Sequence, residues 1–115
     1  MKTRITQKEV KATHLRVFKV GYCRLQTLLN FTEPYAYTCG NDGWHSDIYS
    51  IGNVAISTGY QPFGEAVDYR ISRWYEYKAQ EIIGNVIMPY EDRIKAINNL
   101  LHDFIGDCIS GNCTY

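Results

Sequence analysis

The chain has 115 residues, 45% of them hydrophobic and 21% charged, with twelve basic and twelve acidic side chains. That length fits one domain around one core, and the composition excludes disordered and fibrous classes. No apolar run approaches a membrane span, and the opening MKTRITQKEV lacks the apolar stretch of a signal peptide, so a cytoplasmic location and no membrane partner are expected.

Charge is unevenly spread along this neutral chain. Residues 1–24 hold seven basic side chains against Glu9, whereas residues 25–69 hold five acids and no lysine or arginine. A basic arm on an acidic body can bind phosphates or pair with that body, and self-pairing is the simpler expectation. The four cysteines, Cys23, Cys39, Cys108 and Cys113, are even in number. Without a signal peptide they read as free thiols, and the Cys108–Cys113 spacing is not a common zinc spacing.

Thr6-Gln7-Lys8-Glu9 matches a capping box and predicts a short helix through Val10 and Lys11. Leu15 to Val20 reads as a strand, with Leu15 and Val17 on one face and Arg16, Phe18 and Val20 on the other. Leu25, Leu28 and Leu29 predict a short helix over 24–30, which Glu33-Pro34 ends. From Pro34 to Gly64 the chain holds six aromatics, Tyr35, Tyr37, Trp44, Tyr49, Tyr60 and Phe63, among small polar residues and glycines. Such strands bury one face and offer flat stacking surfaces on the other. Strands over 35–39, 44–51 and 54–58 follow, with reversals at 40–43 and at Gly52-Asn53.

The period then changes to about 3.6. Val67, Ile71, Trp74, Tyr75, Lys78, Ile82 and Val86 mark a long helix, interrupted by Gly84-Asn85 and Pro89. Ile94, Ile97, Leu101, Phe104 and Cys108 form a narrow second stripe of the kind that often meets a partner helix. The expected fold is therefore α+β: a small antiparallel sheet of about four strands followed by two C-terminal helices interlocked in a homodimer. Residues 1–64 hold the sheet and short N-terminal helices, 65–107 the helical pair, and 108–115 a loose tail.

No phosphate-binding glycine loop, zinc-protease motif or nucleophile elbow is present. His14, His45 and His102 are scattered, so neither a catalytic set, a metal site nor a cofactor is expected. His45 and Asp47 share one strand face and could form an acid–base pair or an ordinary surface hydrogen bond. The segment from Tyr69 to Lys78 carries the strongest chemical signal. Tyr69, Arg73 and Tyr77 stack along one helix face, and Arg70, Trp74 and Tyr77 form a second ladder. Guanidinium beside aromatic rings suits a nucleotide, pairing its phosphate and stacking its base. A solvated helix face explains the same residues equally well.

The pieces VGYCRLQTLL (20–29), AYTCGNDGWHSDIY (36–49), AISTGYQPFG (55–64) and EDRIKAINNLLHDFI (91–105) resemble small phage proteins. In particular they resemble the first-described family of Thoeris anti-defence proteins, over most of residues 4–106. The resemblance implies sequestration without chemistry: a glycocyclic ADP-ribose signal held in the bacterial cytoplasm during infection, between one subunit's sheet and the other's helices. It also implies dimers that in some members assemble into hexamers and hold cyclic oligonucleotides at separate sites. An aromatic and an arginine around adenine, an arginine on the diphosphate and an amide on a ribose are the expected roles. Trp74 or Tyr75, Arg70 or Arg73, and Asn85 suit them, with Arg24 a candidate for a second, phosphate-facing site. Gln61 stands where a basic residue would serve a phosphate better. The alternative is a phage inhibitor that binds a protein, such as an anti-CRISPR, although five acids over 25–69 are sparse for nucleic-acid mimicry. The basic arm lacks an aromatic platform, which argues against nucleic acid as a partner.

Overall fold

The computed structural model describes residues 3–20, 26–29 and 33–111. In chain order these form β1 (Thr3–Arg4), α1 (Gln7–Thr13), β2 (Arg16–Val20), α2 (Gln26–Leu29), β3 (Ala36–Cys39), β4 (His45–Ile51), β5 (Val54–Gly59), β6 (Glu65–Ala66), α3 (Tyr69–Gly84) and α4 (Tyr90–Ile109). The six strands make one sheet in the order β1-β3-β4-β5-β2-β6.

The expectation of an antiparallel sheet of about four strands is corrected in two ways. Among the described residues, only β3–β4 and β4–β5 pair antiparallel, through the two reversals that the sequence marks. β2 lies parallel to β5 over five residues, from Arg16 opposite Val54 to Val20 opposite Thr58, and parallel to β6 on its other side. β1 adds parallel to β3. Parallel partners are joined by distant crossovers and leave no local turn signature. The two edge strands, β1 and β6, are two residues long, which limits the unpaired backbone available to other chains.

Each face of the sheet carries its own core. On one side α1 packs Val10 against Val17, Ala36, Ile48, Ala55 and Phe63. The first half of the capping box forms: the Thr6 hydroxyl accepts from the Glu9 N–H at 3.1 Å, while the Glu9 carboxylate accepts from that same hydroxyl at 3.2 Å. His14 closes the helix, its Nδ1 at 3.0 Å from the Val10 carbonyl and its Nε2 at 2.7 Å from Ser50 Oγ. On the other side α2, α3 and α4 cover Phe18, Val20, Tyr49, Val54 and Ile56. β5 is buried on both faces, as a central strand must be.

Ile97, Leu101, Phe104 and Cys108 of α4 are all buried in this second core. Their stripe is filled by Tyr75 and Ala79 of α3 and by the sheet, within one chain. Helix α4 runs on to Ile109, so residues 108 and 109 belong to the helix and not to the expected loose tail, whose last residues lie outside those described. Cys108 is disulfide-bonded and Cys39 is free, which corrects the expectation of free thiols throughout. Sequence spacing does not report which sulfurs the fold brings together. Cys23 and Cys113 lie outside the described residues.

Arg16 ties the two halves of the chain. Its Nε and Nη2 donate to the two Glu65 carboxylate oxygens at 2.9 and 2.7 Å. Its Nη1 donates to the carbonyls of Cys108 at 3.3 Å and Ile109 at 2.9 Å, where α4 ends. A cation there also opposes the negative end of the helix dipole. The guanidinium lies 4.6 Å from the Phe18 ring centroid.

Two outcomes follow. Leu101→Asp places an unpaired carboxylate in a site that is 2% exposed, and this costs several kcal/mol, enough to remove the cooperative unfolding transition. The hydrogen bond from Arg16, opposed in part by burial, holds the Glu65 carboxyl below its ordinary value. A carboxyl depressed on folding stabilises above its unfolded pKa, and that stability is lost as pH falls through the folded pKa. Urea unfolding should therefore show Glu65→Gln costing under about 1 kcal/mol at neutral pH, given its exposure. The difference from the unaltered chain should vanish well below pH 4.5. Arg16→Ala should cost more, about 1.5–3 kcal/mol, because the helix-end carbonyls lose their donor as well.

Candidate functional site

Helix α3 starts at Asp68, whose side chain accepts from the Arg70 N–H at 2.7 Å. The same carboxylate meets the Arg70 guanidinium, Nη2 to Oδ2 at 3.1 Å. The bonds from Arg70 hold the Asp68 carboxyl below its usual range, and Asp68 in turn raises Arg70. Arg70 is thus exposed but locally neutralised.

One turn further, Arg73 is clamped between two tyrosines. Its Nη1 donates to Tyr69 Oη at 2.5 Å, while Nε and Nη2 donate to Tyr77 Oη at 3.1 and 2.6 Å. The guanidinium carbon sits 5.8 and 5.3 Å from the two ring centroids. One N–H on each terminal nitrogen is not used by these bonds. The clamp follows from helical spacing: residues at i, i+4 and i+8 stand above one another. It fixes a long, rotamer-rich side chain before any ligand arrives, which lowers the ordering cost of binding.

Trp74 stands beside the clamp and is 50% exposed, with Lys78 Nζ 5.6 Å from its ring centroid. Lys78 also reaches Glu81 at 3.5 Å. Tyr75 is turned into the core: it is 4% exposed, it meets Phe104 edge-on, and its hydroxyl donates to Asp107. Burial, and then that acceptor, push its pKa up. Asn85 caps the far end of α3, about 18 Å along the axis from Arg73. The structure therefore brings Arg70, Arg73 and Trp74 together on one open face, and places Tyr75 behind it and Asn85 at its far end. Arg24 lies outside the described residues.

A second feature contains none of these residues. The turns after β3 and β5 border a half-open cavity of about 370 Å³ lined by Asp42, Trp44, His45, Asp47, Tyr60 and Gln61, with Gly43 and Gly59. The His45–Asp47 juxtaposition expected from their spacing is present, Nε2 to Oδ1 at 2.9 Å, and Tyr37 stacks on His45 with centroids 5.2 Å apart. The 60–64 loop is pinned over the sheet by three bonds. Tyr60 N–H donates to His45 O at 3.0 Å, Ser46 Oγ to Gln61 O at 2.8 Å, and Phe63 N–H to Ser57 Oγ at 3.0 Å. Gly59 permits this approach, with φ of 123° and its missing Cβ position 2.6 Å from the His45 carbonyl oxygen. The sequence signal for this cavity was the reversal at 40–43 inside the aromatic run, which marks the turn without naming what gathers around it.

Among the described residues, no group of three or more His, Cys, Asp or Glu side chains converges as a metal site requires. No helix among them is long and apolar enough to cross a membrane. Comparison with protein-family models, curated protein sequences and solved structures returns no match.

The indole of Trp44 lies over Gly40 so closely that a Cβ there would fall 1.5 Å from Nε1. Gly40→Ala should displace the indole and leave the fold intact, because a side chain moves more cheaply than backbone. Tryptophan emission should shift to the red while the far-ultraviolet dichroism stays the same. An unshifted spectrum would show that the indole tolerates the methyl where it is.

Proposed function

We propose that the chain binds a cyclic nucleotide signal of the glycocyclic ADP-ribose kind and holds it unchanged, as a viral anti-defence protein would. The observation that carries this reading is the Arg73 guanidinium, fixed between Tyr69 and Tyr77 next to the half-exposed Trp74. A fixed guanidinium suits the oxygens of a diphosphate, and the indole suits an adenine face. Arg70 adds a second cation at the edge, weakened by Asp68. The resemblance in the sequence supports the same ligand class.

An open helix face covers one side of a nucleotide only. A second copy of the chain supplies the opposite wall in this reading, which makes the working form a homodimer or a multiple of it. The α3–α4 connection offers an apolar edge for that contact, with Val86 83% and Ile87 92% exposed. The same exposed pair favours the second reading, an inhibitor that docks on a protein. The two separate on one measurement: in the first, Ile87→Asp changes the mass in solution, and in the second it leaves a monomer that no longer inhibits.

Calorimetry with a cyclic ADP-ribose should show saturable binding, and heat denaturation should return the nucleotide intact by chromatography. Arg73→Ala should weaken binding about tenfold to a hundredfold, the worth of a charge-assisted bond of about 1.5–3 kcal/mol. Its melting temperature should stay close to that of the unaltered chain, because the arginine is exposed. Unaltered affinity in a folded Arg70→Ala, Arg73→Ala double variant would make the ladder a solvated face. Recovery of a hydrolysed product would make the protein an enzyme.

A further inference from the structure

We propose that the cavity between the β3–β4 and β5–β6 turns is a second binding site, for a compact organic cation such as an alkylammonium or guanidinium group. The inference goes beyond the nucleotide reading and is independent of it, because the α3 clamp contributes no lining residue.

Charge and shape lead to the same class of ligand. The lining includes the carboxylates of Asp42 and Asp47, and among the described residues that line it none is lysine or arginine. An anionic phosphate would meet the like charge of Asp42 there, whereas a cation meets an opposite one. The aromatic component is Trp44 and Tyr60, whose ring faces attract cations through their quadrupoles, Trp most strongly. Tyr60 is 81% exposed, a large ring held at the rim by the pinned loop. Trp44 is held against Gly40, and the Asp47 carboxylate is braced by His45 at 2.9 Å. The walls are thus positioned by backbone constraints that exist before a ligand enters. A volume of about 370 Å³ suits a small molecule and not a macromolecular segment. Gln61 fits the same logic: a neutral amide at this position leaves the acidic character of the cavity intact.

The test uses the full chain with Trp74→Phe, which leaves Trp44 as its one tryptophan. Titration with tetramethylammonium chloride should give a saturable change in Trp44 emission that sodium chloride does not reproduce. Tert-butanol, similar in size but neutral, should bind at least about tenfold more weakly. Tyr60→Ala and Asp42→Asn, both at exposed positions, should each weaken the cation about three- to tenfold. An equal response to tert-butanol would overturn the proposal in favour of a plain apolar cavity. So would the absence of saturation, or affinity untouched by both variants. None of these three results would bear on the nucleotide reading, whose variants lie on α3.

Discussion

The parallel pairing of β2 with β5 is the constraint from which the remaining architecture follows. β5 leaves the hairpin with β4 already paired on one side, so its free edge must be satisfied by another strand or left exposed in the core. β2 fills that edge over five residues, and it brings the basic N-terminal arm into the middle of the sheet. Arg16 then stands at the start of a central strand, within reach of β6 on one side and the end of α4 on the other. Its bonds to Glu65, Cys108 and Ile109 join residues 49 to 93 positions apart in sequence. Self-pairing of the basic arm is realised at this residue, where the arm closes the fold.

With β2 and β5 in the centre, the helical layer sits over that half of the sheet. Phe18, Val20, Val54 and Ile56 lie beneath α3 and α4, and Tyr49 of β4 joins them. His45 and Asp47 share the Tyr49 face by strand alternation, yet His45 remains exposed. A polar, aromatic patch therefore emerges where the helices stop. The same hairpin supplies a buried core residue and, four positions earlier, a side chain at the rim of the cavity. Coverage by the helical layer decides which of the two a side chain on this face becomes.

Much of this was legible from residues close in sequence. The cap at Thr6, the reversals at 40–43 and 52–53, and the stripe of α4 are all set by neighbours within four positions. The α3 stripe was legible only in part, because Trp74 and Val86 are exposed and Val86 lies beyond the helix. The parallel partners of β1, β2 and β6 were not, since their pairing is decided by which edges remain after the hairpins form. Tyr75 shows the same limit within one helix. It adjoins Trp74 in sequence and shares its chemistry, but one step of about 100° turns it toward Phe104 and Asp107. Asp107 lies 32 residues away, and only tertiary packing brings it there. Trp74 and Arg73 remained legible because nothing distant claims them. The cavity around Trp44 was hidden for the opposite reason: its walls come from two turns whose proximity follows from the β3–β4–β5 order.

The charge pattern gains its meaning from this arrangement. In sequence, residues 25–69 form one acidic block, yet Glu65 is bonded to Arg16 and Asp68 to Arg70, each in a structural role. Asp42 and Asp47 alone of that block line the cavity, while the cations of α3 stand on a helix whose buried side is core. The cavity thus carries carboxylates and the open α3 face carries guanidinium groups, and a phosphate and an ammonium group would each find one that suits it. Discrimination of this kind needs no extra attractive contact, because the wrong surface repels the wrong group. If α3 holds a phosphate as proposed, the acidic cavity would deny that anion a competing place on the same chain.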